Sequence, residues 1–211
     1  MTSSGRGRFL TFEGLDGDGK STNPTQVGEM LRLRVGPMRL VVTREPGGTA
    51  LGEQIRKWVL EEAMDPDTEA LLMFASRREH LARVIEPALA AGRWVLCDRF
   101  SDASFAYQGG GRGIAPERLE LLERFTHADL QPDLTVLFDI DPETAAARRR
   151  TVRDADRFEA EDIEFHGRVR QAYLDRSAAS AGRIVVVDAR QDSAAVSRAI
   201  DDSLQEYFAS N

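Results

Sequence analysis

The sequence predicts an α/β fold in which a five-stranded parallel sheet carries helices on both faces. Three observations predict it. Five short runs rich in Val, Ile, Leu or Phe have the length of buried strands and are too short for helices. Stretches with helical spacing separate them, as in Leu71, Phe74, Arg78, Leu81 and Ile85. Strand and helix therefore alternate from end to end, the pattern of parallel strands joined by crossover helices.

In chain order the strands are expected at 9–13, 40–43, 94–98, 134–140 and 184–188. Several end on polar residues: Glu13, Thr43, Asp98 and Asp188. Ligands of such sheets lie at the carboxyl ends of the strands, although polar residues there also serve as turn or cap residues. Two segments break the alternation. Residues 108–113 (QGGGRG) read as a flexible, glycine-rich loop. Residues 148–157 (RRRTVRDADR) read either as a solvated helix end or as a mobile lid that brings cations to phosphate. With no internal repeat and no linker, residues 1–211 are expected to form one domain, with the lid at about 148–158.

Composition narrows the function. A chain of 211 residues with 42% hydrophobic residues can bury a core, which argues against disorder. A single cysteine, Cys97, excludes an intramolecular disulfide framework and a Cys-rich zinc site, and the three histidines are scattered along the chain. The N-terminal stretch lacks a long apolar segment and no run approaches about 20 apolar residues. The expectation is a soluble, cytoplasmic protein with no membrane contact. A net charge of -7 argues against a nucleic-acid polymer as partner. It leaves a small anionic substrate open, because local arginines can focus field inside an acidic protein. Lysine, by contrast, is confined to Lys20 and Lys57.

Lys20 lies in GLDGDGKS, Gly14 to Ser21, which has the spacing G-x-x-x-x-G-K-[ST] between a strand and a helical stretch. Glycines let successive N–H groups turn toward one phosphate, and the following helix adds the positive end of its dipole. The candidate triphosphate site is Gly14, Leu15, Asp16, Gly17, Asp18, Gly19, Lys20, Ser21 and Thr22. In it Lys20 reaches the β- and γ-phosphates and Ser21 ligates Mg²⁺. Asp18 adds a carboxylate where a polyanion must bind, and Pro24 falls in the first turn of the next helix.

A second site is suggested by TREPGGT, where Arg44 either forks onto a phosphate or pairs with a nearby carboxylate. Phe74 and Arg78, one helical turn apart, suit a nucleobase pocket, although a core aromatic is the commoner role for a phenylalanine. Asp98-Arg99 sets a metal-organising carboxylate beside a phosphate-binding cation, or else forms a local ion pair.

FEGLDGDGKS, TREPGGT, LLMFASRREH, CDRF followed by AYQGGGRGI, and DRFE occur in an order that resembles the thymidylate kinase family over nearly the whole chain. The resemblance implies a P-loop nucleoside monophosphate kinase-like fold. It implies transfer of the γ-phosphate of ATP to dTMP, giving dTDP and ADP for dTTP synthesis, with Mg²⁺ and in a homodimer. By position, Asp16 resembles the carboxylate near the acceptor nucleotide. Arg44 and Arg99 resemble the arginines on the acceptor phosphate, and Asp98 the acid that orders this region and, with Ser21, the metal. Phe74 resembles the ring stacked on thymine and Arg78 the donor to its carbonyl. Ser104 stands at the base edge, Tyr107 at the sugar 2′ position, and Gln108 is a further base-site candidate. Gly17 occupies a position where some members carry a catalytic arginine. The chain is therefore similar to the bacterial branch with lid arginines, with Arg153 as the catalytic cation and Arg148 and Arg157 supporting it. Another nucleoside monophosphate kinase is one alternative. A catalytically impaired nucleotide-binding protein is the other, motivated by Asp18 and Pro24; a GTPase-type switch lacks its N-K-x-D segment.

Overall fold

The structure, a computed structural model, describes residues 6–15, 23–149 and 156–210. Its strands are β1 (Phe9–Gly14), β2 (Leu40–Arg44), β3 (Trp94–Asp98), β4 (Leu134–Asp139) and β5 (Ile184–Asp188). They form one parallel sheet in the order β2-β3-β1-β4-β5. Each run predicted from sequence is a strand to within one residue at either end, because strands covered on both faces read as continuous apolar runs. Phe9, Val95 and Cys97 face one layer, packed with Leu81, Ile85 and Leu89. Leu10, Phe12 and Leu96 face the other. There they meet Val27 and Leu31 of α1 (Asn23–Val35) and Val196, Ile200 and Leu204 of α9 (Ser193–Ser210). Pro24 is the second residue of α1, where a missing N–H interrupts no helical bond. No described helix is long and apolar enough to cross a membrane.

The central strand β1 has β3 on one side and β4 on the other, so strand order reverses there and opens a crevice at the carboxyl ends. The helices bordering the crevice have well-defined starts. Thr49 caps α2 (Ala50–Glu61) by accepting the Gly52 N–H, and Asp65 caps α3 (Pro66–His80) by accepting that of Asp67. α3 runs on through a π-helical turn, Leu81–Ile85, into α4 (Glu86–Ala90). After β3 come α5 (Ser101–Ser104), a π-helical stretch Phe105–Gly111 and α6 (Pro116–His127). α7 (Pro142–Arg149) follows β4, and α8 (Ile163–Ala179) precedes β5.

Residues 108–113 do not form the flexible loop expected from their glycines. Gln108 to Gly111 belong to the π-helical stretch, which packs against α8. A methyl group on Gly110 would stand 2.6 Å from Cβ of Ala172 and 2.8 Å from the Arg168 carbonyl; one on Gly111 would stand 2.5 Å from the Phe165 ring. The glycines serve close approach of two helices, which leaves the same mark in a sequence as flexibility does.

Two buried carboxylates fasten the crevice. Glu13, at the end of β1, is 0% exposed. It accepts the Phe100 N–H at 2.7 Å and the Tyr173 hydroxyl at 2.8 Å. Burial, with Asp102 nearby, raises its pKa to about 7 against the opposing pull of Arg99, Tyr173 and the Phe100 N–H. Asp102 on α5 accepts from Arg176 of α8 and, with both oxygens, from Arg183. Burial opposes its ionisation, but Arg183 and Arg176 outweigh it and hold the carboxyl below its usual range.

Gly110→Ala should destabilise the fold by about 1–3 kcal/mol, because the methyl meets backbone that cannot move aside; urea unfolding measures it. Glu13 makes a contribution of opposite sense to an ordinary carboxylate. Between its unfolded value of 4.5 and about 7 the folded chain holds a proton that the unfolded chain releases. This contribution is complete below 4.5 and lost as pH rises through about 7. Glu13→Gln should therefore gain stability relative to the parent as pH rises from 5 to 8, read from paired denaturation curves; a difference independent of pH would exclude the assignment.

Candidate active site

At the carboxyl ends of β2 and β3 lies a solvent-open cavity. Leu60, Met73, Ala103, Tyr107 and Phe158 supply its apolar wall; Arg56, Asp98, Arg99 and Gln108 supply charge and hydrogen-bonding groups.

Arg99 follows β3 directly and has φ 68°, the left-handed region that side-chain-bearing residues seldom occupy. Its backbone N–H donates to the Phe12 carbonyl at 2.8 Å. Its guanidinium donates to the hydroxyls of Tyr173 at 3.1 Å and Tyr107 at 3.2 Å. These contacts over-determine the strained conformation and aim a cation into the cavity. Asp98 beside it has a buried Oδ1 with no hydrogen-bond partner among the described residues. A carboxylate oxygen left in this way suits a hard divalent cation, which takes oxygen ligands.

The wall from α3 differs from the expectation. Phe74 is buried among Ala70, Phe105, Ile114 and Leu119, away from the cavity lining. Arg78 donates to the Thr126 carbonyl at 2.6 Å and to Glu86 at 2.9 Å, tying α3 to α6 with its side chain 41% exposed. Met73 lines the cavity in place of Phe74, and Arg77 lies one turn beyond it. Arg77 is 1% exposed and donates to Glu45 at 2.7 Å, Ser104 Oγ at 3.1 Å and the Phe100 carbonyl at 2.9 Å. The predicted pair and the observed pair share the same i, i+4 spacing, so spacing alone could not separate them. Adjacent residues on a helix point about 100° apart, and packing chose the face.

Glu45 also receives His80, whose other ring nitrogen meets Thr43 Oγ1 at 2.7 Å. Glu45, His80 and Cys97 come within 4.8 Å of one another. Burial and the carboxylates of Glu45, Asp98 and Glu13 push the Cys97 thiol well above its ordinary pKa, which keeps it protonated. Glu45 and His80 are engaged with Arg77, Thr43 and each other, so the group is a hydrogen-bond network rather than a metal centre.

The remaining predicted residues divide. Tyr107 and Gln108 line the cavity; Ser104 stands behind it, accepting from Arg77. Arg44 pairs with Glu53 at 2.9 Å with its side chain 52% exposed, and Arg56, held by the Pro46 carbonyl, lines the cavity instead. Arg148 donates to the carbonyls of Ala189 and Arg190 beyond β5. Arg157 donates to the Val59 carbonyl at 2.9 Å and to Glu69 at 2.7 Å. The Gly14 backbone closes β1, and the Leu15 side chain lies in the core. Asp16, Gly17, Asp18, Gly19, Lys20, Ser21, Thr22 and Arg153 lie outside the described residues. Met73, Arg77, Arg56, Glu69 and Tyr173 were not among the residues singled out from the sequence. For Arg77 a signal was present, since two arginines stand side by side in SRRE.

With this geometry in place, comparison with known proteins becomes informative. The family model described as thymidylate kinase matches residues 12–200. A thymidylate kinase of Paraburkholderia xenovorans is 55% identical over 199 residues, covering 93% of this chain and 97% of that protein. One of Ralstonia nicotianae is 58% identical over 185 residues, covering 87% and 90%. The crystal structure of thymidylate kinase from Ehrlichia chaffeensis superposes with a TM-score of 0.80 at 32% identity, covering 94% of this chain and 99% of that one. A parallel sheet that gathers Asp98, Arg99 and Arg77 at its carboxyl edge, in a sequence this similar, leaves no ambiguity of lineage: the chain belongs to the thymidylate kinase family.

Proposed function

We propose that the protein transfers the γ-phosphate of ATP to dTMP, giving dTDP and ADP, with Mg²⁺, in the cytoplasm and as a homodimer. The observation that carries this reading is the cavity, lined by Gln108, Arg56 and Arg99, with the buried Arg77 guanidinium held behind it by Ser104. Three of the five N–H donors of Arg77 are engaged, so two remain for a base carbonyl. Gln108 lines the cavity and its buried Oε1 has no hydrogen-bond partner among the described residues. A donor paired with an acceptor matches the O4 and N3–H edge of thymine. Met73 packs on the base, and Tyr107 occupies the sugar 2′ position, favouring deoxyribose.

Arg99 and Arg56 hold the acceptor phosphate against the repulsion of the incoming triphosphate. That phosphate is already an oxyanion nucleophile, so alignment and charge neutralisation suffice and no general base is needed. Lys20, Asp16 and the backbone of 14–22 serve ATP. Ser21 and Asp98 would hold Mg²⁺, which when bound neutralises charge on the transferred group. Arg153, in a lid spanning about 148–158, supplies a further cation, and Arg148 supports the ATP side. Closure of the lid excludes water, which would otherwise hydrolyse ATP. Domain unity over 1–211 follows from the same reading.

The dimer surface is assigned to α2, α3 and α6, which pack side by side and expose Leu51, Trp58, Leu71, Leu121 and Phe125. Phe125, 88% exposed, sits one turn from Leu121 on the same face.

ADP release measured with dTMP, dUMP, dCMP and AMP should show strong turnover with dTMP; no turnover in folded protein would overturn the reading. Lys20→Ala should lower kcat by about 10²–10³. Arg77→Met should lower kcat/KM for dTMP at least about tenfold, whereas Arg78→Met should mainly reduce stability. Equal kinetic losses in both would refute the assignment of Arg77 to the base. Phe125→Asp should convert a dimer to monomer in sedimentation analysis.

A further inference from the structure

We infer that Glu69 is a specificity-determining positioning residue, which orients the Gln108 amide so that the site selects a nucleobase bearing a ring N–H, thymine or uracil, over cytosine. The inference rests on the reading of Gln108 as a base contact. A glutamine amide offers two donors at one end and an acceptor at the other, and free rotation would let either end face a ligand. Glu69 removes that freedom. It is 0% exposed, and its Oε1 accepts from Gln108 Nε2 at 2.8 Å. Its Oε2 accepts from Arg157 at 2.7 Å and from Arg112 at 3.2 Å. The two guanidinium groups come from separate segments and pin the carboxylate from the far side.

A carboxylate only accepts hydrogen bonds, so inverting the amide would set oxygen against oxygen with no proton between them, in a buried setting without water to relieve it. The Gln108 NH₂ is thereby committed to Glu69, and Oε1 is left as the acceptor of a side chain that lines the cavity. Thymine and uracil present N3–H to such an acceptor. Cytosine presents an unprotonated N3 and leaves both acceptors unpaired.

Glu69→Gln tests this directly. Arg112 and Arg157 would hold the carbonyl of the new amide, turning its NH₂ toward Gln108. Gln108 would then flip, presenting its own NH₂ to the base. The expected result is a fall of about tenfold or more in the ratio of kcat/KM for dTMP over dCMP. Glu69→Asp, which keeps an acceptor-only group, should retain most of the ratio. Arg112→Met should lower Tm and leave the ratio unchanged, which separates orientation of the amide from general loosening. Gln108→Met tests the underlying reading. If it leaves the ratio unchanged, Gln108 does not read the base and both ideas fall. If it lowers the ratio while Glu69→Gln does not, only the role of Glu69 is overturned. Should Glu69→Gln fail to fold, proton exchange of the Gln108 side-chain amide in ¹⁵N-labelled parent protein decides. Slow exchange supports the carboxylate contact, and exchange as fast as that of exposed glutamines overturns it.

Discussion

A guanidinium as deeply buried as that of Arg77 is tolerable only when its donors find acceptors, since an unpaired charge in this setting would cost several kcal/mol. Glu45, Ser104 and the Phe100 carbonyl meet that demand. They come from three different places: the loop after β2, the short helix α5, and the first residues beyond β3. Satisfying one side chain on α3 therefore fixes the relative positions of three segments that border the cavity. His80 extends the constraint by holding Glu45 from the opposite side and reaching back to Thr43.

The other half of the site depends on two carboxylates with opposed titration behaviour. Glu13 is poor in cationic partners and is held toward its neutral form, whereas Asp102, gripped by Arg176 and Arg183, is held as an anion. Their common consequence is geometric. Glu13 grips Tyr173 and the Phe100 N–H, and Tyr173 in turn accepts from Arg99. The cation facing the cavity is thus fixed by a chain of buried hydroxyl and carboxyl groups rather than by solvent. For phosphoryl transfer this matters, because fixed charges stabilise a spread negative charge without reorganising at the moment of reaction.

Much of this was legible in the sequence. The strands were, because burial on both sides leaves uninterrupted apolar runs. The cavity-facing places of Asp98 and Arg99 were, because residues at or just beyond the end of a buried strand have little choice but to face the crevice. The glycine run was misread, since glycine permits both mobility and close helix contact and only the presence of α8 distinguishes them. Of the two roles open to Arg44, the structure shows the ion pair: Glu53, nine residues later on α2, holds it while Arg56 from the same helix lines the cavity.

Sequence alone therefore determined the lineage, the sheet, and the kind of chemistry performed at its edge, since these rest on local motifs and on burial patterns that repeat along the chain. Tertiary structure decided which side chains of α3 turn toward the cavity and which into the core. Met73 with Arg77 and Phe74 with Arg78 obey the same helical spacing, and the choice between them belongs to the packing of α3 between α2 and α6. Glu69 likewise gains its partners only when Gln108, Arg112 and Arg157 converge on it from distant parts of the chain. A buried carboxylate takes its meaning from the donors around it, and those donors become neighbours only when the chain has folded.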